Sequence, residues 1–88
     1  MEVKGKVVVV TGGASGIGKS LSERFAAEGA QAVVVADIEL DGATSTLANI
    51  EKDTNGLAVQ CDVSNEEAVK KLVSDTLREF GHIDLFCS

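Results

Sequence analysis

Residues 7–20 form a glycine-rich segment that could bind phosphate, VVVVTGGASGIGKS. From Gly13 to Ser20 the segment reads G-x-x-x-x-G-K-S, the pattern of a P-loop that binds nucleoside triphosphates. From Thr11 to Gly18 it reads T-G-x-x-x-G-I-G, a turn that would place a dinucleotide at the start of a helix. In both cases glycines let the backbone approach an anion, and the free N–H groups of the helix start bind it. The segment therefore predicts nucleotide binding, and other residues must decide which nucleotide.

The residue that separates the two interpretations is Asp37. In a P-loop protein, Lys19 would contact the β- and γ-phosphates and Asp37 could help to hold Mg²⁺. A dinucleotide site instead needs an acidic residue about 20 positions after the turn, at the end of the second strand, to bind the adenosine ribose. Asp37 lies 19 positions after Gly18 and directly follows an apolar run that includes Val33–Val35. This spacing favours the dinucleotide.

The elements that must position these residues are visible as short apolar runs alternating with stretches of helical periodicity. This alternation is typical of an α/β fold with a parallel sheet. The predicted strands are residues 6–11, Ala32–Ala36 closing on Asp37, Leu57–Cys61 and Ile83–Cys87. The first predicted helix runs from Gly16 to Glu28, with Ile17, Leu21 and Phe25 along one face. The second runs from Leu40 to Ile50, before a break at Asn55-Gly56. The third begins at a capping box of Ser64 and Glu67 and stops at Gly81.

Four features in this order and at these intervals resemble the short-chain dehydrogenase/reductase family. They are the turn at residues 11–18, Asp37 at a strand end, Cys61-Asp62-Val63 after the third strand, and Phe80-Gly81-His82-Ile83-Asp84 before the fourth. The resemblance implies an α/β fold with a Rossmann-type doubly wound parallel sheet of strand order 3-2-1-4, truncated after the fourth strand. Residues 1–88 would then be the N-terminal part of a single NAD-binding domain, and the Lys19-Ser20 match to a P-loop would be coincidental.

The resemblance also assigns a set of cofactor-binding residues. They are Gly12, Ser15, Gly16, Ile17, Gly18, Asp37, Ile38, Asp62 and Val63. In the family, the residue matching Ser15 and the backbone at Ile17 lie near the phosphates, although Ile17 could equally pack in the core. Asp37 would accept hydrogen bonds from the ribose hydroxyls. Asp62 and Val63 would contact the edge of the adenine, unless Asp62 is only a loop residue before the third helix.

The charges around Asp37 predict NAD rather than NADP. A carboxylate at this position repels a 2′-phosphate. Family members that prefer NADP usually carry a basic residue beside the glycine turn or just after the second strand, where this chain has Ser15 and Ile38-Glu39. Lys19 lies one turn further into the helix, where we expect it to be solvated.

The chain has 88 residues and no tyrosine. The family uses a tyrosine general acid/base in a Y-x-x-x-K motif well beyond the fourth strand, so the resemblance assigns no catalytic residue here. Ser88 falls where the family usually has the first asparagine of N-N-A-G. We therefore expect the cofactor-binding half of an NAD-dependent oxidoreductase, which would not transfer hydride by itself.

Composition bounds the remaining partners. The net charge of −6 disfavours nucleic acid, and no apolar run approaches the roughly 20 residues of a membrane span. The start lacks the apolar region of a signal peptide, so a cytoplasmic protein is expected. Cys61 and Cys87 have no metal-binding spacing, and no metal site or disulfide is expected. The exposed edge of Ile83–Cys87 predicts self-association, or a non-enzymatic fragment that pairs with a longer relative.

Overall fold

The computed structural model describes residues 2–88 as a four-stranded parallel sheet with helices on both faces. In chain order the elements are β1 (Val7–Thr11), α1 (Gly16–Ala27), β2 (Ala32–Asp37), α2 (Leu40–Ile50), β3 (Asn55–Gln60), α3 (Glu66–Phe80) and β4 (Leu85–Cys87). The strand order is β3-β2-β1-β4, and every neighbouring pair is parallel. The predicted α/β class and the order 3-2-1-4 are confirmed.

The valine run of β1 is buried on both faces of the sheet. Val8 and Val10 belong to the core that α1 and α2 form on one face, whereas Val9 packs with Leu72 of α3 on the other. Because both faces are covered, β1 has no solvent side and shows no alternation of polar residues. This burial explains why the run is uninterrupted.

The strand order reverses at β1, so the point of reversal lies between β1 and β4. β2 and β3 lie on one side of β1, and β4 lies on the other. Parallel strands bring their carboxyl ends to one edge, and the crevice at such a reversal is where ligands bind in open α/β sheets. Thr11 ends β1 at this point and Cys87 ends β4.

The start of β3 differs from the prediction. Asn55-Gly56 was expected to break the chain before the strand, but both residues are its first two, paired with Ala32 and Val33. The hydrogen bonds offered by β2 override the tendency of Asn-Gly to form a turn. Gly56 also allows close packing, because a Cβ there would lie 2.5 Å from Leu47 Cδ1 of α2.

The start of α3 also differs by one residue from the prediction. Ser64 was expected to cap the helix and does not. Asn65 is the N-cap, and its Oδ1 accepts a hydrogen bond from the Ala68 N–H at 3.0 Å. A capping Ser64 would accept from a helix N–H, but its hydroxyl is instead directed at the preceding loop, where it donates to Asp62 Oδ1 at 2.7 Å. The capping box was therefore the wrong interpretation of this sequence, although a side-chain cap is present.

β4 begins at Leu85, two residues later than predicted, because one of the first hydrogen bonds between the strands goes to a side chain instead of a backbone carbonyl. The Val7 N–H donates to Asp84 Oδ2 at 2.8 Å, and the Asp84 N–H donates to the Val7 carbonyl at 2.9 Å. The hydrogen bond from Val7 lowers the pKa of Asp84, with a smaller contribution from His82, whose Nε2 lies 3.0 Å from the same oxygen. Asp84 thereby joins β4 to the start of β1.

Residues 2–88 contain no helix that is both long and apolar enough to cross a membrane. Within the same range, no three His, Cys, Asp or Glu side chains are grouped to hold a metal ion. Cys61 and Cys87 are free thiols, and burial raises the pKa of both.

Candidate cofactor site

The glycine-rich turn between β1 and α1 is the centre of the candidate site. Gly12 (φ +70°) and Gly16 (φ +59°) adopt left-handed backbone conformations, which glycine tolerates far better than other residues. Gly18 approaches the strand end so closely that a Cβ there would overlap the carbonyl oxygen of Gly12. The turn therefore places the first turn of α1 directly against the end of β1.

The N-terminus of α1 is left without a side-chain cap. Ser15 occupies the N-cap position in an extended conformation, and its side chain makes no capping hydrogen bond. The first turn of α1 also contains no acidic residue. The first N–H groups of a helix have no partner within the helix, and the dipole gives this end partial positive charge. This end of α1 therefore suits an anion such as a diphosphate.

A cleft of about 400 Å³ opens beside this helix start, between the ends of β1 and β4. Its lining consists of Val10, Thr11, Gly12, Ser15, Ile17, Gly18, Leu21, Cys87 and Ser88. Ile17 is 80% exposed and contributes to the cleft, so the alternative prediction that it packs in the core is wrong. The reason is its position in the first turn of α1, whose buried residues begin only at Ser22.

Asp37 is brought to the turn by the end of β2. Its Oδ2 accepts a hydrogen bond from the Ala14 N–H, and its Oδ1 accepts one from the Glu39 N–H, both at 2.9 Å. Two backbone donors thus fix the orientation of the carboxylate, and each oxygen keeps a further lone pair for a ligand. Ile38 follows with 57% of its surface exposed, and its carbonyl accepts from Gln60 Nε2 at 3.2 Å.

The loop after β3 carries Asp62 and Val63 beside the end of β2. The Cys61 N–H donates to the Asp37 carbonyl at 3.0 Å, which joins the two strand ends. The Asp62 carboxylate accepts hydrogen bonds from the hydroxyl and N–H of Ser64, and these lower its pKa. Val63 is 55% exposed. The fold therefore brings the carboxyl ends of β1, β2 and β3, with all nine predicted site residues, to one edge of the sheet.

The loop amides are not arranged as a P-loop would need them. The Gly13 N–H donates to the Ala36 carbonyl at 3.1 Å, and the Ala14 N–H is taken by Asp37. These are loop amides that a P-loop would offer to phosphates. The cleft lining does not include Lys19, whereas the uncapped amides at the start of α1 stay accessible.

Sequence reasoning missed three contacts of the turn. It did not identify Ala14 as the partner of Asp37, nor the hydroxyl of Thr46, which donates to the Gly13 carbonyl at 2.8 Å. It also left open the role of Ser88, whose Oγ lies 3.2 Å from Thr11 Oγ1. For Thr46 a signal was present, since it is a polar residue on the buried face of α2, between Ala43 and Ile50.

A second groove, of about 500 Å³, lies along β3 and α3 and contains none of the predicted site residues. Three of its four charged residues are paired with one another: Asp75 lies 2.7 Å from Lys71 Nζ and 2.8 Å from an Arg78 guanidinium nitrogen, whereas Glu79 is not part of this cluster. This groove therefore lacks the open amides and the oriented carboxylate of the turn.

A Rossmann-type sheet with a glycine-rich turn and an acidic residue ending β2 defines a class of dinucleotide-binding fold. Comparison with known proteins gives the family: the profile described as short chain dehydrogenase matches residues 6–88. The chain belongs to the short-chain dehydrogenase family.

Individual relatives agree with this assignment. The chain is 45% identical over 87 residues to (+)-cis,trans-nepetalactol synthase of Nepeta racemosa, covering 99% of this chain and 31% of the relative. A Burkholderia phymatum short chain dehydrogenase/reductase in complex with NAD matches with a TM-score of 0.91 and 32% identity, over 98% of this chain and 31% of that one. The 3-ketoacyl-(acyl-carrier-protein) reductase from Brucella melitensis, complexed with NADH, matches with a TM-score of 0.87 and 37% identity. This match covers 96% of this chain and 33% of the reductase chain. The chain thus spans about a third of the length of these relatives.

Proposed function

We propose that residues 1–88 are the N-terminal part of a single NAD-binding domain of a short-chain oxidoreductase. The observation that carries the proposal is the carboxylate of Asp37, held by the Ala14 N–H beside the uncapped start of α1. A positive helix end and an oriented carboxylate at one strand edge match the two parts of a dinucleotide, the diphosphate and the adenosine ribose.

Each predicted residue has a role within this proposal. Gly12, Gly16 and Gly18 allow the diphosphate to approach, and the amides that follow Ser15 bind it. Asp37 accepts hydrogen bonds from the ribose hydroxyls, with Ile38 beside the adenine. Asp62 and Val63 bind the edge of the adenine from the loop after β3.

The same carboxylate supports NAD as the preferred cofactor. Two like charges about 4 Å apart repel by roughly 4 kcal/mol at an effective dielectric constant of about 20, an upper bound that corresponds to about a thousandfold in affinity. The NADP phosphate would have to replace a ribose hydroxyl at Asp37. The residue after it is Ile38, which offers no positive charge to compensate.

Bound NAD supplies a hydride acceptor for the oxidation of an alcohol, and these residues hold its adenosine half. The chain contains no tyrosine to act as the family's general acid/base. We therefore expect no turnover from these 88 residues alone. A relative named as a synthase matches as well as relatives named as dehydrogenases, so the proposal extends to the reaction class and not to a substrate.

Calorimetric titration of the 88-residue chain with NAD, NADP and ATP with Mg²⁺ tests the proposal. We expect NAD to bind, NADP to bind at least tenfold more weakly, and ATP to show no dependence on Mg²⁺. Asp37→Asn keeps the shape and an acceptor oxygen but removes the charge, so it should narrow the difference between NAD and NADP. Magnesium-dependent ATP binding that Lys19→Ala abolishes would instead establish a P-loop site.

The free edge of β4 supports a further expectation about partners. Within residues 2–88, β4 pairs with β1 alone, and Phe86 on β4 is 38% exposed. An open apolar edge tends to pair with another strand. We expect concentration-dependent association of the 88-residue chain in sedimentation experiments. Phe86→Lys should weaken that association, and a monomer at all concentrations would contradict the expectation.

A further inference from the structure

Three hydroxyl groups are buried in the core, and one of them is used differently from the others. Ser22, Thr46 and Thr76 are each at most 1% exposed. Ser22 and Thr76 donate to the carbonyls of Gly18 and Leu72, four residues earlier in their own helices. This is the ordinary arrangement for a buried hydroxyl in a helix. Thr46 instead donates out of α2 to the turn.

The acceptor of Thr46 is one end of a single peptide group. The Thr46 hydroxyl donates to the Gly13 carbonyl at 2.8 Å. The N–H of the same peptide group belongs to Ala14, and it donates to Asp37 Oδ2 at 2.9 Å. Both ends of the Gly13–Ala14 peptide are therefore held by side chains from the second β-α unit, which fixes the plane of this peptide.

The backbone of α2 also contacts the turn closely. Gly42 lies one helical turn before Thr46, and a Cβ at Gly42 would come 2.6 Å from Ala14 Cβ. The Gly13 N–H donates to the Ala36 carbonyl, so the turn is joined to β2 as well. The second β-α unit thus surrounds this part of the turn.

We propose that Thr46 is a positioning residue of the cofactor site, holding the Gly13–Ala14 peptide so that the diphosphate-binding turn keeps its distance from Asp37. The inference rests on the proposed function, because that function makes this distance important. A dinucleotide spans the turn and Asp37, so a Gly13–Ala14 peptide group that is not held in place would weaken binding of the whole ligand. Adenosine alone contacts only the Asp37 side and should be affected less.

The test compares Thr46→Val, Thr46→Ser and Thr76→Val in the 88-residue chain. Valine has the shape of threonine without the donor, and serine keeps the hydroxyl. Thr76→Val is the matched control, because it also removes a buried hydroxyl but one bonded within α3. ADP-ribose and adenosine are titrated against each variant by NMR, and amide exchange of Ala14 is measured without ligand.

We expect Thr46→Val to weaken ADP-ribose binding about tenfold, the effect of one lost hydrogen bond to a site. Adenosine binding should change by less than about threefold, and the Ala14 amide should exchange about tenfold faster. Thr46→Ser should bind ADP-ribose and protect the Ala14 amide from exchange nearly as well as the unmodified chain. Thr76→Val should change neither property.

Equal exchange of the Ala14 amide in Thr46→Val and Thr76→Val would overturn the inference. So would equal losses of ADP-ribose and adenosine binding in Thr46→Val. If the unmodified chain binds neither ligand, the proposed function fails, and the exchange of Ala14 still decides the role of Thr46.

Discussion

Helices α1 and α3 begin in opposite ways, although each follows a strand of the same sheet. At α3, Asn65 caps the helix by accepting from the Ala68 N–H, and the first turn carries Glu66 and Glu67. At α1, Ser15 makes no capping hydrogen bond, and the first turn has no acidic residue. The protein itself satisfies the positive end of α3 and leaves that of α1 open.

The difference extends to the third residue of each helix, which is Gly18 in α1 and Ala68 in α3. Alanine at this position favours the helix, whereas glycine disfavours it by about 1 kcal/mol. At α1 the glycine is required, because a Cβ would overlap the Gly12 carbonyl. The comparison shows that the start of α3 follows the usual preferences for helix stability, whereas the start of α1 departs from them at the candidate site.

The largest expected effect is that of Gly18→Ala. Ordinary helix preference would make this change stabilising, but the overlap with the Gly12 carbonyl forces the turn to move. We expect a loss of about 2–3 kcal/mol in the free energy of unfolding, as for overpacked sites, together with loss of NAD binding. Urea unfolding measures the first and calorimetry the second. Ala68→Gly is the control, with an expected cost of about 1 kcal/mol and no effect on binding; a stabilised Gly18→Ala would contradict the comparison.

Giving α1 an acidic first turn should separate stability from binding. Ile17 is exposed and lies where α3 has Glu67. Ile17→Glu should raise the free energy of unfolding by about 0.3–1 kcal/mol through the helix dipole. The same charge should weaken NAD binding about tenfold or more by repelling the diphosphate. Ile17→Gln controls for the lost side chain, and equal affinities of the two variants would show that no anion binds at this helix end.

Removing the two N-cap side chains should have unequal consequences. Asn65→Ala should lower the free energy of unfolding by about 1 kcal/mol, the usual cost of a lost cap, and leave NAD affinity unchanged. Ser15→Ala should leave stability nearly unchanged, because no capping bond is lost, and reduce NAD affinity a few-fold. Thermal unfolding and calorimetry on both variants check this, and equal destabilisation would mean that Ser15 caps α1 in solution.

The smallest expected effect concerns pH at the loop before α3. Hydrogen bonds from Ser64 hold the pKa of Asp62 below its ordinary value of 3.8. Because the folded pKa is lower than the unfolded one, the stability from this group is complete above about pH 4 and is lost as the pH falls through the folded value. As the pH is lowered from 7 to 3, the midpoint of urea unfolding should fall slightly less for Asp62→Asn than for the unmodified protein. The asparagine amide oxygen still accepts from Ser64 but does not titrate. The same pH dependence in both proteins would contradict the assignment.

Much of the fold followed from local patterns in the chain. The α/β class and the place of Asp37 at the end of β2 were predicted from apolar runs and from the spacing of glycines and acids, and the strand order was predicted from the family resemblance. The errors fell where another hydrogen-bond partner, tertiary in one case and local in the other, competed with the predicted preference. Asn55-Gly56 entered β3 because β2 offered hydrogen bonds, whereas the Ser64 hydroxyl turned to donate to Asp62 and Asn65 capped the helix.

The sequence by itself determined which elements form and which residues meet at the carboxyl edge of the sheet, since strand and helix periods are local properties. Only the tertiary structure decided which groups bond to one another at that edge. Asp37 reaches Ala14 across 23 positions, and Thr46 reaches Gly13 across 33. The first contact arises because β2 pairs with β1 and the second because α2 packs against the turn, and no residue pattern within either segment specifies them.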